Sequence, residues 1–563
     1  MSLIQSLKKI LSNDHYNKFW IIFILMLISV FLELIGLGAV IPIIKSVLSE
    51  QGFSFLIFKK EFNFSTYFWL AIMVIIYLIK NAYLSFFQFY SSNFIHNIQV
   101  DLSSKLYKGY INLPHSEIKK KNSSFFLRNI ITEVNTFSNS TQSIIILLTE
   151  ILVFLAILIF LFFIEPFVTI GALVYFSFFG LIIYFFFKEK NYKWGLIRQD
   201  SDQKKIKFIQ ESFDGITEIK IFKLQNFFYE KFFNQIFNSS KMALLSSIAS
   251  FLPRYIFEIL TVIFVSLVLI FLKLYDFEQS NIIIIISLLG VSIFRLLPSM
   301  NKILVSLQQI KYNLPVIELL NSELEELDKA YVKQANNKKI IKEFSFSKLN
   351  ISNLSFSYNK KKIFENIDLE ILNNQAIGLV GESGSGKSTL VDIISGLLLP
   401  DEGKAYFENK SKEKFPLTDL TSDISYVPQN ILILDDTLKN NIILNNGYDE
   451  ELFSKVIKDA KLDSFLKNLN NKENSMIGER GNNISGGQKQ RIGLARALYS
   501  NPKFLILDES TNALDDETEK QIFETFRSIK GKVTMLIVTH NKETLYFCDK
   551  ILNIKNKKIY NEI

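Results

Sequence analysis

The chain has 563 residues, carries 63 Lys and Arg against 55 Asp and Glu for a formal net charge of +8, and is 49% hydrophobic. Its single cysteine, Cys548, excludes intrachain disulfides and any zinc site built on several cysteines. The surplus basic residues cluster beside apolar stretches, so the charge implies a membrane-flanking protein and excludes a nucleic-acid partner.

Apolar residues are concentrated in the first half. Stretches at roughly 19–46, 66–90, 141–163, 167–187, 247–272 and 281–300 are long enough to cross a hydrocarbon core, which needs about 20 helical residues. Any one of them could be a buried helix of a soluble protein. Six, rich in Phe, Ile and Leu and nearly free of charge, exclude that reading. The first is too long for a cleavable signal peptide and lacks a small-residue cleavage site. Lys8, Lys9 and Lys18 precede it, Lys119 to Lys121 follow the second, and Lys188, Lys190, Lys193, Arg198, Lys204 and Lys205 follow the fourth. The positive-inside rule puts these segments and both termini in the cytoplasm. Glu165 and Pro166 mark a tight external hairpin, whereas the segments after the second and fourth stretches are long, polar and helical in pattern. Phe53 to Phe62 (FSFLIFKKEF) is amphipathic and too short to span, suited to the outer interface or to an ordinary solvated loop.

Charges inside the apolar stretches are costly unless paired or facing water. Lys80, Arg254 and Arg295 are such residues, and so are Glu33, Glu150 and Glu258. Facing a central cavity, the three basic residues would suit a phosphate or pyrophosphate. Mutual neutralisation explains them equally, since Arg254 and Glu258 are four apart on one helix face.

After a polar linker, expected over 326–345, the composition changes. Ala376 to Val380 is a short apolar strand, followed by Gly381 to Thr389 (GESGSGKST) and a helix from Lys387. This is a phosphate cradle. Its glycines (Gly381, Gly384, Gly386) let N–H groups around Ser383 converge on the α- and β-phosphates; Lys387 reaches the β- and γ-phosphates, and Ser388, followed by Thr389, ligates Mg²⁺. Phe504 to Glu509 (FLILDE) is an apolar strand ending in two carboxylates. Asp508 would hold the Mg²⁺ shell and Glu509 would act as general base toward water. Ile484 to Gln488 reads ISGGQ.

Taken one at a time, these motifs have ordinary readings as strand ends, loops or structural side chains. Their joint order over roughly two hundred residues does not. Together they resemble the nucleotide-binding domain of an ABC transporter. The resemblance implies that Tyr358 stacks on adenine, Gln429 in YVPQ senses Mg²⁺ and γ-phosphate, Asp515 closes the D-loop, and His540 in LIVTH contacts γ-phosphate and orients the base. It also implies that Ser485, Gly486, Gly487 and Gln488 complete the ATP site of a partner subunit, so that the chain works as a dimer, most simply a homodimer. Gly478 to Gly481 (GERG) resembles a loop set against the partner's membrane helices. Ile484, Asn512 and Asn541 depart from the commonest family residues without removing a catalytic group.

With six spans ahead of it, the chain resembles an exporter-type (type IV) half-transporter. The expected architecture is a six-helix α-helical transmembrane domain (1–325) followed by an α/β P-loop ATPase domain (346–563), with Pro114 to Phe125 and Ile216 to Asn226 as coupling segments. KNAY around Lys80, LPRYIFE around Arg254 and FRLLPSMN around Arg295 add a closer resemblance, to bacterial flippases of lipid-linked oligosaccharides. It implies that these basic residues grip the pyrophosphate of a polyprenyl-linked glycan, and that a short external helix lies near 53–62. Lys80 stands where that family has Arg, keeping charge and losing the bidentate fork. The expectation is an ATP- and Mg²⁺-dependent homodimeric flippase of the bacterial inner membrane. An exporter of peptides, lipids or drugs is the alternative, and the identity of the glycan and a heterodimer with a paralogue stay open.

Overall fold

The computed structural model describes residues 9–10, 12–40, 42–43, 53–57, 60–64, 66–163, 166–274, 279–335, 346–358, 361–419, 423–478, 484–508, 516–539 and 541–562. The chain divides into two compact units, residues 1–113 with 118–331 and residues 114–117 with 332–563.

The first unit is built on helices α1 (Asn13–Gly38), α2 (Thr66–Ile111), α3 (Val134–Phe162), α4 (Pro166–Asp214), α5 (Gln225–Leu274) and α6 (Gln279–Ala335). A sequence-encoded cap starts α1: Ser12 Oγ accepts the His15 backbone N–H at 3.4 Å, and Asp14 adds negative charge to the first turn. Helices α2, α4, α5 and α6 have 46, 49, 50 and 57 residues. At about 1.5 Å per residue each is more than twice as long as a hydrocarbon core of about 30 Å, so their polar ends must project beyond it. Pro253 in α5 and Pro298 and Pro315 in α6 interrupt backbone hydrogen bonding, which long packed helices tolerate.

Among the described residues five helices are long and apolar enough to cross a membrane: Asp14–Gly38, Thr66–Ile111, Ser123–Phe162, Thr169–Asp214 and Gln225–Leu274. The sixth expected stretch, 281–300, is helical within α6, but the side chains of 281–289 and 291–292 lie outside the described residues. The first stretch starts earlier than expected, at Asn13, and its positions 44–46 also lie outside.

Two packing groups share α6. Ile22 and Met26 of α1, Phe94 and Ile98 of α2 and Phe137 of α3 bury against Val316 and Leu320 of α6. Phe176 and Ile183 of α4 and Phe257 and Phe264 of α5 bury together with Leu304 of α6. Helices α4 and α6 approach closely at Gly195, where a Cβ would lie 2.0 Å from the Tyr312 carbonyl oxygen. Small residues allow such backbone contact between membrane helices.

One expectation is corrected. The described residues of the run 53–62 are strands rather than a short helix: Phe53–Ile57 (β1) and Lys60–Phe64 (β2) pair antiparallel, with Phe53 opposite Phe64 and Phe55 opposite Phe62. Phe53 and Phe55 within β1, and Phe62 and Phe64 within β2, are two positions apart, which is the strand period rather than 3.6. The two coupling candidates do contain short helices, His115–Ile118 and Ile216–Ile221.

The second unit has two sheets. Strands β3 (Phe346–Tyr358), β4 (Lys361–Leu372), β6 (Glu402–Asn409) and β7 (Lys414–Pro416) form an antiparallel sheet in the order β4-β3-β6-β7. Strands β5 (Ala376–Gly381), β8 (Ile424–Val427), β9 (Phe504–Asp508), β10 (Thr534–Val538), β11 (Lys550–Lys555) and β12 (Lys558–Glu562) form the other, ordered β12-β11-β5-β10-β9-β8. All its pairs are parallel except β11 with β12. Every residue of β9 and β10 is buried, as expected for parallel strands covered on both faces.

Candidate functional site

The parallel sheet gathers the phosphate-site motifs at the carboxyl ends of its strands. Leu379 of β5 lies opposite Val538 of β10, Val538 opposite Asp508 of β9, and Leu507 opposite Val427 of β8. Gly381, Gln429 and His540 each come two residues after one of these in-register positions. Ligands of open α/β sheets bind outside these carboxyl ends. Helix α7 (Lys387–Ile394) follows the loop after β5, with Gly386 as its N-cap at φ +109°. A Cβ there would lie 2.8 Å from Ile363 Cγ2 and 2.9 Å from Phe364 Cζ of β4, so both backbone angle and space demand glycine. Gly384 is left-handed as well, with φ +79°.

Lys387 Nζ donates to the Gly381 carbonyl at 2.7 Å and the Glu382 carbonyl at 3.2 Å, a cation held across the mouth of the loop. Ser383 and Ser388 are exposed, and Thr389 is buried behind them. Asp508 is buried, and Tyr426 Oη donates to its Oδ2 at 3.1 Å. Burial, and then the Asp508 carboxylate, pushes the Tyr426 hydroxyl well above its ordinary range, so it stays a proton donor. A hydroxyl (Ser388), an amide (Gln429) and a carboxylate (Asp508) are the hard oxygen donors that fit Mg²⁺ with phosphates completing its shell.

Tyr358 ends β3, paired with Lys361, and its half-exposed ring meets Phe356 edge-on at 4.9 Å. It is two residues along from the Phe356–Phe364 pair that backs the loop. Ser485 caps helix α8 (Gly486–Tyr499): its Oγ accepts from Gln488 N at 3.2 Å while Gln488 Oε1 accepts from Ser485 N at 2.8 Å. This reciprocal box fixes Gly486 and Gly487 at the positive end of a 14-residue helix. Glu509, Asp515, His540 and most of GERG lie outside the described residues.

In the first unit a cavity of about 770 Å³ is lined by Glu33, Lys80, Glu150, Arg295 and Lys302, with uncharged polar groups that include Gln88 and Gln142. Glu33 accepts from Lys80 Nζ at 3.1 Å and pairs with Arg295 Nη2 at 3.0 Å. Glu150 accepts from Lys302 Nζ at 2.6 Å and Ser299 Oγ at 2.5 Å, with Arg295 Nη1 at 3.8 Å. Lys80 and Arg295 are therefore brought together through a shared carboxylate. Arg254 is not with them: it is exposed and pairs along its own helix with Glu258 at 3.1 Å. Lys302 escaped the sequence reading because it falls just past the last apolar stretch. Its spacing from Arg295 and Ser299 (i+7 and i+3) puts all three on one helix face, which was a usable signal.

A second buried polar cluster also went unread. A π-helical turn, Arg128–Glu133, precedes α3. Arg198 bridges Glu133 at 3.2 Å and Asp202 at 3.3 Å, and Ser239 Oγ donates to Asp202 at 2.8 Å. The cluster ties the start of α3 to α4 and α5.

A family model described as ABC transporter matches residues 364–512. Multidrug resistance-like ATP-binding protein MdlB of Buchnera aphidicola subsp. Schizaphis graminum is 38% identical over 235 residues, 41% of this chain and 40% of that protein. The ATP-dependent lipid A-core flippase of Francisella tularensis subsp. holarctica (strain OSU18) is 36% identical over 204 residues, 36% of this chain and 34% of that protein. The matched region thus spans between a third and two fifths of the length of these curated relatives. A solved structure, of a bacterial Atm1-family ABC exporter with ATP bound, superposes over 97% of this chain and 95% of that one, with TM-score 0.77 and 15% identity. The chain has the fold of that exporter, a helical membrane unit followed by an ABC ATPase unit.

Proposed function

We propose that the chain is one half of a dimeric ATP-driven exporter that moves an anionic lipid-linked glycan, of the polyprenyl-pyrophosphate type, across a bacterial inner membrane. The observation that carries the ATPase reading is the set of carboxyl strand ends of the parallel sheet where the Lys387 loop, Asp508 and Gln429 converge. Ser388, Gln429 and Asp508 would hold Mg²⁺, which neutralises charge on the β- and γ-phosphates. Lys387 stabilises the same oxygens, Glu509 takes the proton of the attacking water, and His540 orients it. Tyr358 stacks on adenine. Ser485, Gly486 and Gly487 offer their helix terminus to the γ-phosphate of the partner's nucleotide, with Gln488 holding Ser485 in place and Asp515 at the dimer seam. The domain limits in this reading are 1–325 for the membrane domain, 326–345 for the linker and 346–563 for the ATPase domain, with both termini and the ATPase cytoplasmic.

The glycan reading is supported by the cavity: three cations face two carboxylates, leaving one net positive charge beside neutral hydrogen-bonding groups. The internal pairing favours a second reading, an exporter of apolar drugs or lipids, because two of the three charges are already neutralised. The test is purified protein in proteoliposomes, supplied separately with fluorescent prenyl-pyrophosphate glycan, lipopolysaccharide precursor and a cationic dye. ATP-dependent inversion of the first alone supports the proposal; transport of the dye or the lipid alone assigns the second reading.

A further inference from the structure

We infer that Lys302 is the headgroup-capturing cation of the membrane cavity, held at rest by Glu150 and exchanged onto an incoming phosphate or pyrophosphate. The inference rests on the proposed anionic cargo and assigns the capture of its headgroup to one of the three cations.

The charge count is the first ground. Among the described residues Lys80, Arg295 and Lys302 pair with Glu33 and Glu150, so one cation is in surplus. The hydrogen-bond partners identify which. Glu33 takes Lys80 on one oxygen and Arg295 on the other, so losing either leaves a buried carboxylate short of a partner. When Lys302 departs, Glu150 keeps two partners on its Oε2, Ser299 at 2.5 Å and Arg295 at 3.8 Å, and gives up only the one on its Oε1. Exposure agrees: the Lys302 side chain is 51% exposed, against 11% for Lys80 and 22% for Arg295. A half-exposed lysine pair is weak and readily exchanged, whereas a buried one is not. Lysine also carries a compact ammonium on a flexible stem, able to follow a moving ligand. The cluster thus separates into a fixed core, Lys80–Glu33–Arg295, and an exchangeable limb, Lys302.

The test uses the full-length protein in lipid nanodiscs, titrated with a fluorescent prenyl pyrophosphate and with the matching uncharged prenol. Wild type should prefer the pyrophosphate. Lys302→Gln should weaken pyrophosphate binding about tenfold, the loss expected for one charge-assisted contact, without changing prenol binding or the melting temperature. Lys302→Arg should restore the preference, and Glu150→Gln, which frees Lys302, should tighten pyrophosphate binding. A wild-type preference that survives Lys302→Gln overturns the assignment of Lys302 and leaves the anionic cargo standing. No preference in wild type overturns the anionic cargo and this inference together. A lowered melting temperature of Lys302→Gln, unrescued by Glu150→Gln, overturns the inference by making Lys302 a structural partner.

Discussion

Arg295 reaches Glu33 at 3.0 Å although the two are 262 positions apart, on helices α6 and α1. The same carboxylate also holds Lys80 of α2 at 3.1 Å. One buried acid therefore clamps three helices, and two of the three basic residues expected to bind cargo serve first as its counter-ions. An intramembrane carboxylate without them would be strongly disfavoured.

Glu33→Gln should accordingly destabilise the first unit. The side chains of Glu33 and Lys80 are 7% and 11% exposed, and breaking a buried pair by removing one partner costs about 3–5 kcal/mol. The double change Glu33→Gln with Lys80→Met, which removes the orphaned cation, should recover part of that loss. Unfolding in mixed detergent–denaturant titrations measures both. Equal stability of Glu33→Gln and wild type would mean that the clamp contributes nothing.

Much of this was legible beforehand, for physical reasons. The phosphate loop and its strand were readable because Gly386 has no sterically possible substitute against Ile363 and Phe364. The membrane helices were readable because a hydrocarbon core imposes a length and a composition. What stayed hidden depends on contacts far apart in sequence: Glu33 with Arg295, and Glu133 with Arg198. The strand pair 53–57 and 60–64 departs from the helix that the resemblance implies, although FSFLI and KEFNF carry the strand alternation in their sequence.

Gly195→Ala should damage packing of α4 on α6. The added Cβ would lie 2.0 Å from the Tyr312 oxygen and 3.0 Å from its carbonyl carbon, both backbone atoms that cannot swing away. Overpacking of this kind costs about 1–3 kcal/mol. Gly171→Ala, in the same helix with nothing within 4 Å, is the control and should be neutral. Comparing melting temperatures of the two variants in one detergent decides the matter; equal values would show that the helices slide apart freely.

Cys548 lies under the phosphate-loop strand, where a Cβ at Gly378 would be 3.2 Å from its sulfur. Burial pushes the thiol up to about 12, and its Sγ donates to the Thr544 carbonyl at 3.3 Å. A raised thiol pKa favours the neutral form in the folded protein. The contribution is intact below the ordinary value near 8.5 and is lost as pH climbs toward 12. At pH 8 the thiolate fraction should be on the order of 10⁻⁴, so iodoacetamide should label native protein far more slowly than denatured protein. Equal labelling rates by intact mass would refute the burial.

The last prediction concerns the dimer. Ser485 caps α8 through its own hydroxyl and Gln488, and a γ-phosphate meeting that terminus must come from another subunit if the sites are shared. Ser485→Arg fills the terminus with a bulky cation and removes the cap, while Lys387→Ala removes the cation held over Gly381. Each homodimer then carries two damaged sites and should hydrolyse ATP at background rate. In a mixed dimer both lesions fall in one site, and the other joins an intact Lys387 loop to an intact Ser485 helix. Co-purifying the two variants on different affinity tags should recover measurable hydrolysis, at up to about half the wild-type rate if the sites act independently. Hydrolysis absent from the mixed dimer, with both variants folded, would mean that the two sites fire only together. Wild-type turnover by isolated monomers would eliminate the shared-site arrangement, and with it the role given to Ser485.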